Sequence, residues 1–329
     1  MAPNHSFLVA AACALPLSIL ACGGSSEEEQ IIPEGTHYGY VVSKASTPTT
    51  DAEVRQFGLD LGSKTSSKLD GPVDNALGGT LFGLKAFMFD VQATVTTAVD
   101  TGSILLLIDF QTKDFSTSNA AGFVVKIGAN PVPAACNTPT DCRHHLNGMG
   151  TFSIAANSPT DALVAGKITS GTFKGGPGDI ALQLAIGSTT AITLNLLHAR
   201  VQATSITETG LTAIIGGLVT QDDLNTQIGP AIAASINATI QNSCPAPGGG
   251  ARMPPDCNCT GGVHTAVVAL DGQAPGSVAD CVITSDEVLS NPTVKTFLQP
   301  DSCSADSCAK ADSLSIGIKV EAVKATFPM

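Results

Sequence analysis

Apolar side chains recur at every second position over long stretches of this chain, a period that suits strands and not helices. Ile180, Leu182, Leu184 and Ile186 point one way; Ile192, Leu194 and Leu196 do the same beyond a Gly187-Ser188-Thr189-Thr190 turn. The spacing predicts a hairpin with one buried face. After Leu196 the apolar phase slips to Leu197, Ala199, Val201 and Ala203, which predicts a β-bulge or passage between two sheets. The C-terminus repeats the device, with Leu314, Ile316, Ile318 and Val320 giving way to Val323, Ala325 and Phe327. The run from Ser103 to Phe110 is apolar without alternation and reads as a strand covered on both faces. Further strands are predicted over 37–44, 54–61, 122–129, 150–156, 162–174, 211–219 and 263–270.

Helices are few. The clearest spans 221–243, where Leu224, Ile228, Ile232, Ile236 and Ile240 form one stripe. Thr220 and Asp223 resemble a capping box, and Pro230 is expected to kink the first two turns. Shorter helices are predicted at 74–84, 88–99 and 285–298. Together these patterns give a mainly β fold: a β-sandwich-like core with a few covering helices and a disulfide-tied C-terminal region. The Pro- and Gly-dense run from Pro245 to Cys259 marks the best internal boundary, separating a β-rich core at 37–243 from a Cys-rich region at 244–329. The final strand of that region returns to the core.

The first residues read as an address. Phe7 to Ala21 is apolar, short for a bilayer span and right for the core of a signal peptide over 1–21. It runs into Ile19-Leu20-Ala21-Cys22-Gly23-Gly24, a string that resembles the lipobox of bacterial lipoproteins. The resemblance implies that Cys22 carries the lipid (a diacylglycerol thioether and a palmitate-like amide chain) and becomes the mature N-terminus. Residues 22–36 then form a tether rich in Gly, Ser and Glu, which could extend to about 45 Å.

Ten cysteines are present. Beyond Cys13 and Cys22, the eight that remain read as disulfides of an exported protein. Cys136 with Cys142 and Cys303 with Cys308 close local loops. Cys257 and Cys259 stand too close to pair easily, so Cys244 is expected to bond one and Cys281 the other. The competing reading is a metal site from Cys257, Cys259 and His264, but zinc sites favour a longer spacer between cysteines.

Net charge is −12 and charged residues make up 13% of the chain, with no Trp and only Tyr38 and Tyr40. So few Lys and Arg argue against nucleic acid as a partner. Two loops could hold calcium, which needs several convergent oxygens. Asp60, Asp70, Asp74 and Asn75 could supply four, the competing reading being a polar loop with Asp74 capping a helix. In the second loop Ile283 and Glu287 fall where an EF-hand has its eighth and twelfth positions. Gly276 and Val278 occupy the first and third and offer no side-chain ligand. Thr284 with Glu287 reads better as a capping box. Familiar catalytic motifs are missing, and Ser307-x-x-Lys310 stands without its companions. His144-His145 could bind a metal or act as a base, but it sits in a polar loop and reads as exposed. His198 falls on the polar phase of its strand and reads as solvent-facing.

Gly58-Leu-Asp-Leu61, Asp70-Gly-Pro-Val-Asp-Asn-Ala-Leu-Gly78 and the segment from Asp312 to Phe327 are similar to uncharacterised secreted lipoproteins of myxobacteria and their relatives. In that pattern an Asp-x-Asp-Gly stretch precedes the Val-Asp-Asn motif; here Gly62 replaces its second Asp. The resemblance implies an anchored envelope protein and no particular activity. We therefore expect a non-catalytic structural or interaction module, lipid-anchored in a bacterial outer membrane on its periplasmic or outer face. Its protein or small-molecule partner is unnamed by the sequence and it has no cofactor. The alternatives are a hydrolase with a dispersed, loop-borne site and a calcium-stabilised adhesin-like module.

Overall fold

The alternating segments form a meander that closes on itself. The chain runs through β1 (Thr36–Ser46), β2 (Leu106–Thr112), β3 (Ser118–Val132), β7 (Leu163–Thr169), β8 (Thr172–Ala185), β9 (Ala191–Thr207), β10 (Gly210–Thr220) and β11 (Ser313–Thr326). Each pairs antiparallel with the next, and β11 pairs antiparallel with β1. The result is a closed eight-stranded barrel. A computed structural model describes residues 31–62, 73–83, 90–160, 162–188, 190–245, 252–254, 257–305 and 308–329. Residues 31–329 form one compact unit.

The mainly β class holds, but the expected two-sheet sandwich is a barrel. Alternation is the same in both architectures. What separates them is whether the first and last strands meet, and a period of two carries no information on that. The lumen is filled. Phe110, Phe123 and Phe173 are fully buried, with Phe110 edge-on to Phe173 at 5.3 Å between ring centroids. Tyr40 reaches across the wall to donate its hydroxyl to the Thr207 carbonyl at 2.6 Å.

The predicted hairpin is β8–β9, with Leu182 opposite Leu194 and Leu184 opposite Ile192. The slip after Leu196 is a bulge: Leu196 faces Ile180 and Ala199 faces Gly178, with His198 at φ 50° between them. In β11 the buried phase holds through Ala322 and changes before Ala325, where the strand leaves β1 and pairs with β6 (Gly150–Ile154). β6 also pairs with the end of β3, forming a small second layer. The hairpin of β4 (Cys136–Thr138) and β5 (Asp141–Cys142) and the 3₁₀ turn His144–Leu146 lie in the same connection.

Three predicted segments differ. Residues 54–61 begin as helix α1 (Asp51–Phe57). Thr50 accepts the Glu53 amide, while the Glu53 carboxylate takes the Thr49 amide and hydroxyl, and this reciprocal capping overrides the short alternation. Only Leu59 keeps β character, bridging Asp74. Residues 263–270 are helix α6 (Gly261–Leu270): Val263, Ala266, Val267 and Leu270 are its buried residues, a helical spacing misread as apolar strand. The expected strand 162–174 is the β7–β8 hairpin, turned at Ser170 and Gly171, both at positive φ.

The remaining helices follow the sequence closely. α2 (Ala76–Gly83) and α3 (Val91–Asp100) join α1 between β1 and β2. The long helix after β10 is α4 (Gln221–Asp223), a π turn at Leu224–Ile228 and α5 (Gly229–Ser243). Pro230 sits in the first turn of α5. It has no amide to give, and the π turn lies just before it. The five-residue apolar stripe is buried throughout, contributing roughly 8–15 kcal/mol gross. Residues 285–298 divide at Asn291 into α7 (Ser285–Ser290) and α8 (Pro292–Phe297).

These connections give the barrel two unlike rims. Among the described residues, the α-helices lie in the β1–β2 and β10–β11 connections and leave from the rim that also carries the β8–β9 turn. The start of β1 and the β2–β3, β7–β8 and β9–β10 turns lie at the opposite rim. There Pro33 packs on Gly122, where a Cβ would come within 2.7 Å of its ring. The described chain, from residue 31, therefore enters the barrel at the end away from the helical cap. Among the described residues no helix is long and apolar enough to cross a membrane.

Candidate functional site: an apolar groove in the helical cap

α5, α6, α7 and α8 do not seal against one another. Between them, closed on one side by α2, runs a groove of about 80 Å³ walled by Ile232, Ile236, Ala266, Leu270 and Val288. Phe297 stands at its mouth, 40% exposed. Two polar side chains on the wall are already engaged. The Thr80 hydroxyl donates to the Phe297 carbonyl at 2.6 Å, and Asn291 Nδ2 donates to the Ala269 carbonyl at 2.8 Å. Asn291 Oδ1 accepts the Thr293 and Val294 amides. An occupant of this groove finds hydrocarbon and no free donor or acceptor on these residues, which selects an apolar group of about one side chain's size.

Two disulfides hold the cap in shape. Cys244 bonds Cys259 and Cys257 bonds Cys281, tying the end of α5 to the approach to α6 and to the loop before α7. Cys136–Cys142 and Cys303–Cys308 close their local loops. With Cys257 and Cys259 in separate disulfides, neither presents a thiolate, and the proposed site with His264 is not assembled. The Asp271 carboxylate lies beside the Cys257–Cys281 bridge, its oxygens accepting the Asp280 and Cys281 amides at 3.0 and 2.9 Å.

The calcium candidates are used as staples. Asp60 Oδ1 accepts the Gly62 amide and Asp74 Oδ2 the Leu61 amide. Asn75 Oδ1 accepts the Gly78 and Gly317 amides, and its Nδ2 donates to the Val54 and Gly317 carbonyls. Asp70 lies outside the described residues, as do Cys22, the signal segment and Ser307. In the second loop the capping box is present: Thr284 accepts the Glu287 amide and Glu287 takes the Thr284 amide. Burial works against ionisation of Glu287, but the Thr284 and Gly272 amides hold its pKa below the usual carboxylate value.

The histidines differ from expectation. His145 is fully buried against Phe152 rather than exposed, because the 3₁₀ turn folds it under the β6 layer. His198 is half-buried at the bulge, its Nε2 2.9 Å from the Ser304 carbonyl, and does not face open solvent. Sequence reasoning missed the pair of His37 and Asp109, with Nδ1 2.8 Å from a carboxylate oxygen across β1 and β2. Their separation by 72 positions hid them. The groove was also missed, since it depends on helix pairings that no single helix announces. No protein-family model matches the chain, and no curated protein or solved structure matches it.

Proposed function

We propose that this is a lipid-anchored envelope protein, held through an acylated Cys22, that works without catalysis as an interaction module. The groove of the helical cap is its docking site, and the occupant is an apolar side chain of a protein partner. The observation that carries the reading is the groove itself: an apolar recess between the cap helices in which the Thr80 and Asn291 side chains are already engaged, at the barrel end opposite the described start of the chain. Interfaces are commonly anchored by one such side chain in a desolvated pocket. The lipobox-like string at Ile19–Gly24 supports the anchor.

The test uses soluble protein spanning 31–329 and its Ala269→Trp variant. Ala269 is exposed at the groove and contributes only its carbonyl to Asn291, so the bulky ring plugs the mouth without entering the core. We expect an envelope component retained by the parent protein to be lost with the variant at unchanged melting temperature. Identical retention by both would remove the groove from the reading. In the full-length protein, Cys22→Ser is expected to abolish lipidated product. A processed Cys22→Ser form that still partitions into detergent would overturn the anchor.

A further inference from the structure

The outer wall of the barrel carries a row of cations, in a chain whose net charge is −12. Strand register sets the row. Lys167 lies opposite Lys174, Lys174 opposite Gln202, Gln202 opposite Ile214, and Ile214 opposite Lys319. The adjoining Ile168, Phe173, Ala203, Ala213 and Val320 are buried, so the row itself points outward. At about 4.8 Å per strand it runs about 19 Å around the barrel. Arg200 stands two positions along β9 from Gln202, and its Nε is buried without a partner. Lys167, Lys174, Arg200 and Lys319 form no ion pair among the described residues. Nor do their strands supply counter-charge. β7, β9 and β10 contain no Asp or Glu, β8 contains Asp179 alone, and Glu321 of β11 is ion-paired with Lys44. Lys167 and Lys174 are like charges directly opposed across two strands, an arrangement that costs stability until an anion lies between them.

Beside Lys319 the wall is hollowed. The end of α1 stands over β9, β10 and β11 and leaves an open cleft of about 220 Å³, lined by Gln56, Phe57, Gln202, Thr204, Thr212 and Lys319. The side chains of Gln56, Gln202, Thr204 and Thr212 have no hydrogen-bond partner among the described residues, unlike Thr80 and Asn291 in the groove of the cap. We propose that this wall binds an acidic polysaccharide. Acid groups of successive sugars lie on Lys167, Lys174 and Lys319, and one sugar ring enters the cleft. There its hydroxyls exchange hydrogen bonds with the two amides and two hydroxyls, groups that donate and accept as a sugar hydroxyl does. Charge complementarity selects the acid, and the uncommitted amides select the hydroxyls. The cations are spread along a line rather than gathered about a point, which suits a linear polymer. Phe57 is 6% exposed and offers no platform on which a nucleic-acid base could stack.

The test is an NMR titration of the compact unit 31–329 with trigalacturonate, a short uronic-acid oligomer. Maltotriose supplies the hydroxyls without the acids, and poly-aspartate the acids without the sugar. We expect saturable shifts of the Gln202, Thr204 and Thr212 amides with trigalacturonate, weakening as salt rises, and none with maltotriose. Lys174→Glu/Lys319→Glu is expected to weaken binding about tenfold or more, since each exposed ion pair lost accounts for up to about fivefold. The variant stays folded, because Lys174→Glu turns an opposed like-charge pair into an attractive one. Lys295→Glu, the same reversal on α8, should bind as the parent does. No saturable shift with trigalacturonate, equal binding of maltotriose, or an equal loss in Lys295→Glu would overturn the proposal. Poly-aspartate binding as tightly as trigalacturonate would also overturn it, by making the occupant an acidic peptide.

Discussion

The buried polar side chains are of two kinds. Asn75 fills all four of its bonding positions, and in doing so clamps α1, α2 and β11 together. Asp301 accepts the Ser315 amide and hydroxyl; burial pushes its pKa up, and those two bonds oppose the rise. His145 is the other kind. Neither ring nitrogen has a partner, the Val99 carbonyl approaching outside hydrogen-bond geometry, and burial first, then the Arg143 cation, lower its pKa. An unfolded histidine titrates near 6.5. As pH falls through that value the unfolded chain takes the proton before the folded one does. The stability this neutral ring permits is therefore full above about 6.5 and declines below it. Urea unfolding is expected to show the parent losing stability from pH 7 to pH 5. His145→Phe should gain about 1 kcal/mol at pH 7, by removing an unpaired buried polar ring, and decline less. Parallel curves would clear His145. The sequence showed His144 and His145 as a matched pair; burial splits them, and adjacency in a loop holds no record of burial.

At the scale of elements, the sequence was most legible where one face of a regular element is buried along its whole length. The β8–β9 hairpin, its bulge and the stripe of α5 are examples, since each side chain's environment repeats with the backbone period. It misled at 54–61 and 263–270, where a few apolar residues fit both periods and capping or packing decided. Asn75 was read as an oxygen ligand, because a residue that clamps distant segments looks in sequence like any loop amide. The cap elements are held by their bridges. Cys244 and Cys259 are 15 positions apart, and removing such a crosslink costs about 3 kcal/mol on the chain-entropy view. In Cys244→Ala/Cys259→Ala, hydrogen exchange is expected to show α5 and α6 losing protection while the barrel strands keep theirs. Uniform loss across barrel and cap would show that the two unfold as one cooperative unit.

For the whole molecule, the two rims are unlike: the start of β1 and the β9–β10 turn lie at one, and the helices of the β1–β2 and β10–β11 connections leave from the other. Closure has a different consequence, for biogenesis. The strand that seals the barrel, β11, is the last of the eight barrel strands in chain order, and its partner β1 is the first of them. During synthesis β1 keeps an unpaired edge until β11 has emerged, with all the other barrel strands and the cap to be looped between them before that edge is satisfied. Contacts so distant in sequence form late, and an open edge recruits other strands. The nascent protein must therefore wait longest in its most adhesive state, and its yield is governed by what shields that edge in the interval.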